Sequence, residues 1–192
     1  MEKYKTACFS GYRPEKFKFI LHQGNEAYLA LEKRIENAIL QAVDDGYTSF
    51  ICGAAKGFDL VAGSLVVALK ESWAELASLN LVAVLPFQRH GFSSEPWRTL
   101  HQMVLSGASE VITLASKYHP QAYHVRNRYM VDCSRLLICY YDGRKGGTEY
   151  TVKYAEEQGL AVINVASDLK FGNQCVEGYR KLCYLDDKKI FI

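Results

Sequence analysis

The sequence lacks a surplus of charge of either sign: 23 Lys and Arg stand against 21 Asp and Glu, a net of +2 over 192 residues. That balance removes the broad basic field of a nucleic-acid binder, so any anion site has to be local. Its six cysteines, Cys8, Cys52, Cys133, Cys139, Cys175 and Cys183, form no CxxC pair and no finger spacing, and three of them fall inside apolar strand-like runs. Free, buried thiols in a reducing compartment are expected, rather than disulfides or zinc. No apolar run approaches the length of a membrane span, and the first residues, MEKYKTACFSGYR, have no apolar signal core. A cytoplasmic protein without membrane contact is the reading. There is also no GxSxG elbow, no GxxxxGK[ST] loop and no His/Cys/Asp cluster at metal-ligand spacing, so neither a metal nor a cofactor is called for.

What is present is an alternation. Hydrophobic residues make up 49% and charged residues 23%, ordinary for a globular chain of this length. Short apolar runs at Thr6–Phe9, Ser49–Cys52, Leu81–Leu85, Glu110–Leu114, Leu136–Tyr140 and Leu160–Val165 read as strands. Between them lie helical patterns: Tyr28 to Ala42 at three- and four-residue steps, Asp59 to Ser72, Glu95 to Ser106, His124 to Cys133, and one opening at Gly147 and ending at Gly159. This predicts an α/β fold, a three-layer Rossmann-like sandwich with a mostly parallel sheet of about six strands. Residues 1–192 read as one domain, with 167–192 a short C-terminal extension to which no chemistry attaches. The helix from Asp59 to Ser72 is apolar on almost every side, which predicts burial against the sheet and a further surface, a subunit partner being one option.

Right-handed crossovers place every strand's carboxyl end, and every following helix start, on one edge. Four groups distant in sequence share that edge: Gly11 to Arg13, Gly53 to Asp59, the helix start with Arg126, Asn127 and Arg128, and the turn from Asp142 to Glu149. The last is the centre of the pattern, because strand, glycine loop and helix follow one another there and direct free N–H groups outward. Glycines at 11, 53, 57, 143, 146 and 147 let the backbone approach a ligand or adopt positive φ. Arg126 and Arg128 at a helix start oppose the helix dipole and so point to an anionic partner. Lys56 and Arg13 are further anion contacts, and Asp59 reads as a ribose contact or as a helix cap. Tyr12, Tyr140 and Tyr141 read as core aromatics before base-stacking ones. His90, His119 and His124 have no companion spacing and are not read as catalytic.

The pieces SGYR at 10–13, CGAAKGFDLVA at 52–62, VRNRYMVDCSRLLICYYDG at 125–143 and GGTEYTVKYA at 146–155 resemble the SLOG superfamily, which joins the DNA-processing protein DprA to the LOG phosphoribohydrolases. Within it the chain is most similar to the YpsA-like branch of small bacterial proteins, over about Ala7 to Val165. The resemblance implies a Rossmann-like fold and a nucleotide-ligand site. In LOG enzymes a PGGxGT segment cradles phosphate and a Glu three residues after its Thr takes part in cleaving the N-glycosidic bond. Gly146, Gly147 and Thr148 match the end of that loop, but the Pro is missing and Thr151 stands where the Glu should be. Glu149 lies two residues short of that place, about 200° around the helix, and cannot simply replace it.

The leading expectation is therefore binding of a nucleotide or nucleotide-derived phosphate ligand, in a sensing or regulatory role. Its predicted contacts are Gly11, Arg13, Gly53, Lys56, Gly57, Asp59, Arg126, Asn127, Arg128, Gly143, Gly146, Gly147, Thr148 and Glu149. The alternatives are a nucleoside-monophosphate N-glycosidase using Glu149 or Asp59 as acid/base, DprA-like binding of single-stranded DNA, and a homo-oligomer through the apolar helix.

Overall fold

The computed structural model describes residues 2–166, so the extension at 167–192, with Cys175 and Cys183, lies outside the described residues. Six strands form one sheet in which every pairing is parallel: β1 (Thr6–Ser10), β2 (Ser49–Cys52), β3 (Asn80–Leu85), β4 (Glu110–Thr113), β5 (Leu136–Cys139) and β6 (Ala161–Asn164). They lie in the order β4-β3-β2-β1-β5-β6. Five helices connect them: α1 (Glu26–Asp44), α2 (Phe58–Ser72), α3 (Trp97–Gly107), α4 (Ala122–Asp132) and α5 (Gly147–Glu157). None of the described helices is long and apolar enough to cross a membrane.

The two-residue period of the strands divides the core into two layers. Ala7, Phe9, Phe50, Cys52, Leu81, Ala83, Leu136 and Ile138 turn to one face, where α1, α2 and α3 pack. Their neighbours Cys8, Ile51, Val82, Val84, Leu137 and Cys139 turn to the other, against Met130 and Val131 of α4 and Val152 and Ala155 of α5. The three-layer sandwich is thus written in alternate residues of runs that are apolar throughout, as a sheet covered on both faces requires.

Local chemistry sets the element ends. The Asn25 side chain accepts from the N–H groups of Ala27 and Tyr28 at 3.0 and 3.2 Å, which starts α1. The helix expected from Glu95 begins two residues later, and the Glu95 carboxylate ahead of it accepts from Thr99 N at 3.2 Å and Thr99 Oγ1 at 2.8 Å in its first turn. β4 is an edge strand with Val111 45% exposed. Helix α2 buries most of its length between α1, α3 and the sheet, so its apolar side chains are covered within the chain itself.

The order of strands decides where a ligand can sit. From β1 the chain steps through α1 to β2 on one side; α4 brings it back across the opposite face to β5, from which α5 leads away to β6. The connections diverge between β1 and β5, and the crevice outside their carboxyl ends is the place where open α/β sheets receive ligands.

Candidate functional site

At that crevice lies a cleft of about 140 Å³. Four stretches line it: Ser10 to Arg13 with Lys16 after β1, Ala55 and Asp59 at the start of α2, Tyr123, Arg126 and Asn127 in the first turns of α4, and Gly147 and Thr148 opening α5. Three helix starts therefore open onto one small space, and the N–H groups of a first turn have no partner within their own helix. Arg13, Lys16 and Arg126 face it with a single carboxylate, Asp59, so the cleft is cationic in a nearly neutral chain.

Arg126 is the innermost cation. It is 4% exposed, and its Nη1 donates to Asp59 Oδ2 at 3.1 Å. Two of the predicted glycines are fixed for reasons internal to the chain, Gly53 by this pairing and Gly57 by the Tyr12 backbone. A Cβ at Gly53 would lie 1.3 Å from Arg126 Nη1, and one at Gly57, whose φ is +91°, would lie 2.4 Å from the Tyr12 carbonyl oxygen. Gly53 is the gap through which the guanidinium reaches Asp59; Gly57 turns the chain into α2 beneath the β1 exit. Burial pushes the Asp59 carboxyl up, while Arg126 and Arg13 pull against it. Arg126 Nε has no hydrogen-bond partner among the described residues, so the guanidinium has donor capacity left.

The loop after β5 is tied to the loop after β1. Tyr12, 1% exposed, donates its hydroxyl to Asp142 Oδ1 at 2.5 Å and accepts from the N–H groups of Asp142 and Arg144 at 3.3 Å. Arg144 closes on the Asp142 carboxylate through Nε at 2.9 Å and Nη2 at 2.7 Å, and also donates to the Lys16 carbonyl. This guanidinium holds the Asp142 carboxyl far below its ordinary range. Lys16 Nζ donates to the Lys145 carbonyl at 3.1 Å and passes over Gly146, where a Cβ would meet it at 2.5 Å. Asn127 donates to Thr151 Oγ1 at 2.8 Å, which donates to the Gly147 carbonyl at 2.9 Å, so α4 also holds the first turn of α5 in place.

Of the predicted contacts, Gly11, Arg13, Asp59, Arg126, Asn127, Gly147 and Thr148 come together in the lining. The rest have other positions. Gly53 and Gly57 lie behind Arg126 and Tyr12, and Gly143 (φ +93°) and Gly146 (φ +145°) shape the loop after β5. Lys56 Nζ lies 5.1 Å from the centre of the Phe92 ring, and the Arg128 guanidinium 4.7 Å from that of Tyr154. Glu149 accepts from Lys153 at 2.8 Å and, more loosely, from Gly146 N–H at 3.4 Å; the lysine draws its carboxyl below the usual range. Asp132, four residues after Arg128, accepts from the Tyr154 hydroxyl at 2.8 Å. Ser10, Tyr12, Lys16, Ala55 and Tyr123 complete the lining. The first two sit inside the SGYR piece; Lys16 falls in a stretch without period and Tyr123 one residue ahead of the expected helix, so no pattern marked either.

Among the described residues Cys8, Cys52 and Cys139 are free and buried, and burial pushes each up to about 12; Cys133 is free and half-buried. Among the described residues, no group of three or more His, Cys, Asp or Glu side chains is placed to hold a metal.

A six-stranded parallel sheet with an anion-suited crevice at its strand-order reversal defines a Rossmann-like α/β protein. The model of the YspA SLOG family matches residues 7–165, and the chain belongs to that family. Among its relatives, a UPF0398 protein of Bacillus cereus (strain B4264) is 26% identical over 164 residues, covering 81% of this chain and 84% of the relative. A UPF0398 protein of Bacillus thuringiensis (strain Al Hakam) is 25% identical over 162 residues with the same coverage of each chain.

Proposed function

We propose that the protein binds a nucleotide or nucleotide-derived phosphate ligand in this cleft, as a cytoplasmic sensor or regulatory protein. One observation carries the reading: three helix starts and three cations converge on a space whose innermost guanidinium is buried yet has donor capacity left. Phosphate would rest on the first-turn N–H groups of Gly147 and Thr148, with Arg13, Lys16 and Arg126 balancing its charge. Membership of the SLOG family supports a nucleotide-related role.

The hydrolase alternative draws less support. A general acid has to hold a proton near neutral pH; Glu149 is drawn the other way by Lys153, and Asp59, though burial pushes it up, is engaged by the buried Arg126. Strand-like nucleic acid is also less favoured, because the cations face into a small cleft instead of along a groove.

Calorimetric titration with inorganic phosphate and a panel of nucleotides tests the reading. The Arg13→Ala, Lys16→Ala double variant should weaken binding by about tenfold or more, each charged contact being worth about 1.5–3 kcal/mol. Arg128→Ala, outside the cleft, should leave it within about twofold. Equal affinity in the double variant and the wild type would reject the site, and release of free base would reinstate the hydrolase.

A further inference from the structure

Beside the cleft lies a cluster of polar atoms, of which the phosphate reading uses only Arg126 Nε. Among the described residues five buried side-chain atoms have no hydrogen-bond partner: His90 Nδ1 and Nε2, His101 Nε2, Arg126 Nε and Arg135 Nε. The first four belong to one neighbourhood. The His90 and His101 rings are 5.8 Å apart, and Arg126 is near enough that its charge, with burial, holds His90 down at about 4. Each imidazole is 7% exposed. Buried polar atoms are nearly always paired, because an unmet donor or acceptor costs about 1–3 kcal/mol. Four in one place call for a common partner.

The chemistry of that partner can be read from the walls. A His90 held neutral offers one N–H donor and one bare nitrogen acceptor, and so does a neutral His101. An ionised phosphate oxygen can only accept, so it would leave the bare nitrogens unmet. Phe87, Phe92 and Tyr123 stand edge-on around His90, with ring centres 5.4, 5.2 and 6.1 Å away. Aromatic edges thus surround an imidazole whose nitrogens offer both a donor and an acceptor. Tyr123 and Arg126 also line the phosphate cleft, so the His90 neighbourhood adjoins it. The cleft, at about 140 Å³, is smaller than the roughly 300–1,000 Å³ of pockets that enclose a whole small-molecule ligand.

We infer that the His90 neighbourhood is the base subsite of this site: the cleft takes the phosphate and sugar, and an uncharged nucleobase hydrogen-bonds to His90 between Phe87, Phe92 and Tyr123. The inference rests on the phosphate reading and narrows it to nucleoside phosphates as against sugar phosphates. Because His90 and His101 are each 7% exposed, admitting the ring requires the connection between β3 and α3, which carries Phe87, His90 and Phe92, to shift outward.

The test compares inorganic phosphate, ribose 5-phosphate and the common nucleoside monophosphates by calorimetry on the full chain. At least one nucleoside monophosphate should bind about tenfold or more tighter than ribose 5-phosphate, as two or so net hydrogen bonds imply. In His90→Phe, which keeps the ring packing and removes both nitrogens, that ratio should collapse toward one. On the wild type, nitrogen NMR of the imidazoles should show the His90 signals moving with the nucleotide and not with ribose 5-phosphate, a readout independent of how the variant folds. Still His90 signals, or a ratio that survives the substitution, would overturn the inference and leave those atoms bonded to buried solvent alone. Failure of both phosphate and ribose 5-phosphate to bind the wild type would instead bring down the anion reading beneath it.

Discussion

Arg126 Nη1 lies 3.1 Å from Asp59 Oδ2, with the two side chains 5% and 8% exposed, and this pair joins the first turns of α4 and α2 across 67 positions of sequence. Removing one partner leaves the other buried and unpaired. Asp59→Leu should therefore cost about 3–5 kcal/mol in urea unfolding, whereas Asp59→Leu combined with Arg126→Met should cost less than Asp59→Leu alone. A double variant as unstable as the sum of its singles would show that the two side chains act independently.

Gly53→Ala probes the same pair from below. Its new methyl would occupy the place of Arg126 Nη1, so the guanidinium must leave Asp59. Loss of phosphate binding with the far-ultraviolet circular dichroism unchanged is expected. Unaltered binding would mean that the position of Arg126 does not matter to the ligand.

Tyr12→Phe removes the hydroxyl shared by Asp142 and two backbone N–H groups. The expected cost is about 1–3 kcal/mol, with the Asp142 carboxylate still paired to Arg144. The damage should be local, seen as faster amide hydrogen exchange at Gly143 to Gly147 while the strands keep their protection.

The pH dependence of stability carries a signature of His90. Burial first, then the charges of Arg126 and Arg13, holds it at about 4, below the ordinary 6.5. Below pH 6.5 the unfolded chain takes up a proton that the folded chain refuses until about pH 4, so stability is lost as pH falls through that window. Asp59, pushed up by burial, acts in the opposite sense and is common to both proteins. His90→Phe should flatten the fall between pH 6.5 and 4 in urea midpoints, and an unchanged slope would contradict it.

The elements were legible because each is governed by neighbours in sequence. The run from Leu136 to Tyr140 had to be strand, and the glycine turn before Thr148 had to open a helix, whatever lay around them. Half of the predicted contacts reached the cleft because parallel connections put all helix starts on one edge. Arg128 did not, because which side of a helix faces the cleft depends on where the whole helix is laid down; two positions after Arg126 it points away, toward Tyr154.

The sequence alone thus determined the α/β class, the strand and helix count up to residue 166, and the edge on which the helix starts gather, since periodicity and glycine placement are short-range properties. Tertiary structure alone decided the order β4-β3-β2-β1-β5-β6, the Arg126–Asp59 pair, the Tyr12 anchor of the loop after β5 and the meeting of His90 with His101. Each of these brings together residues that no local pattern relates, and only closure of the sheet with its covering helices fixes their distances.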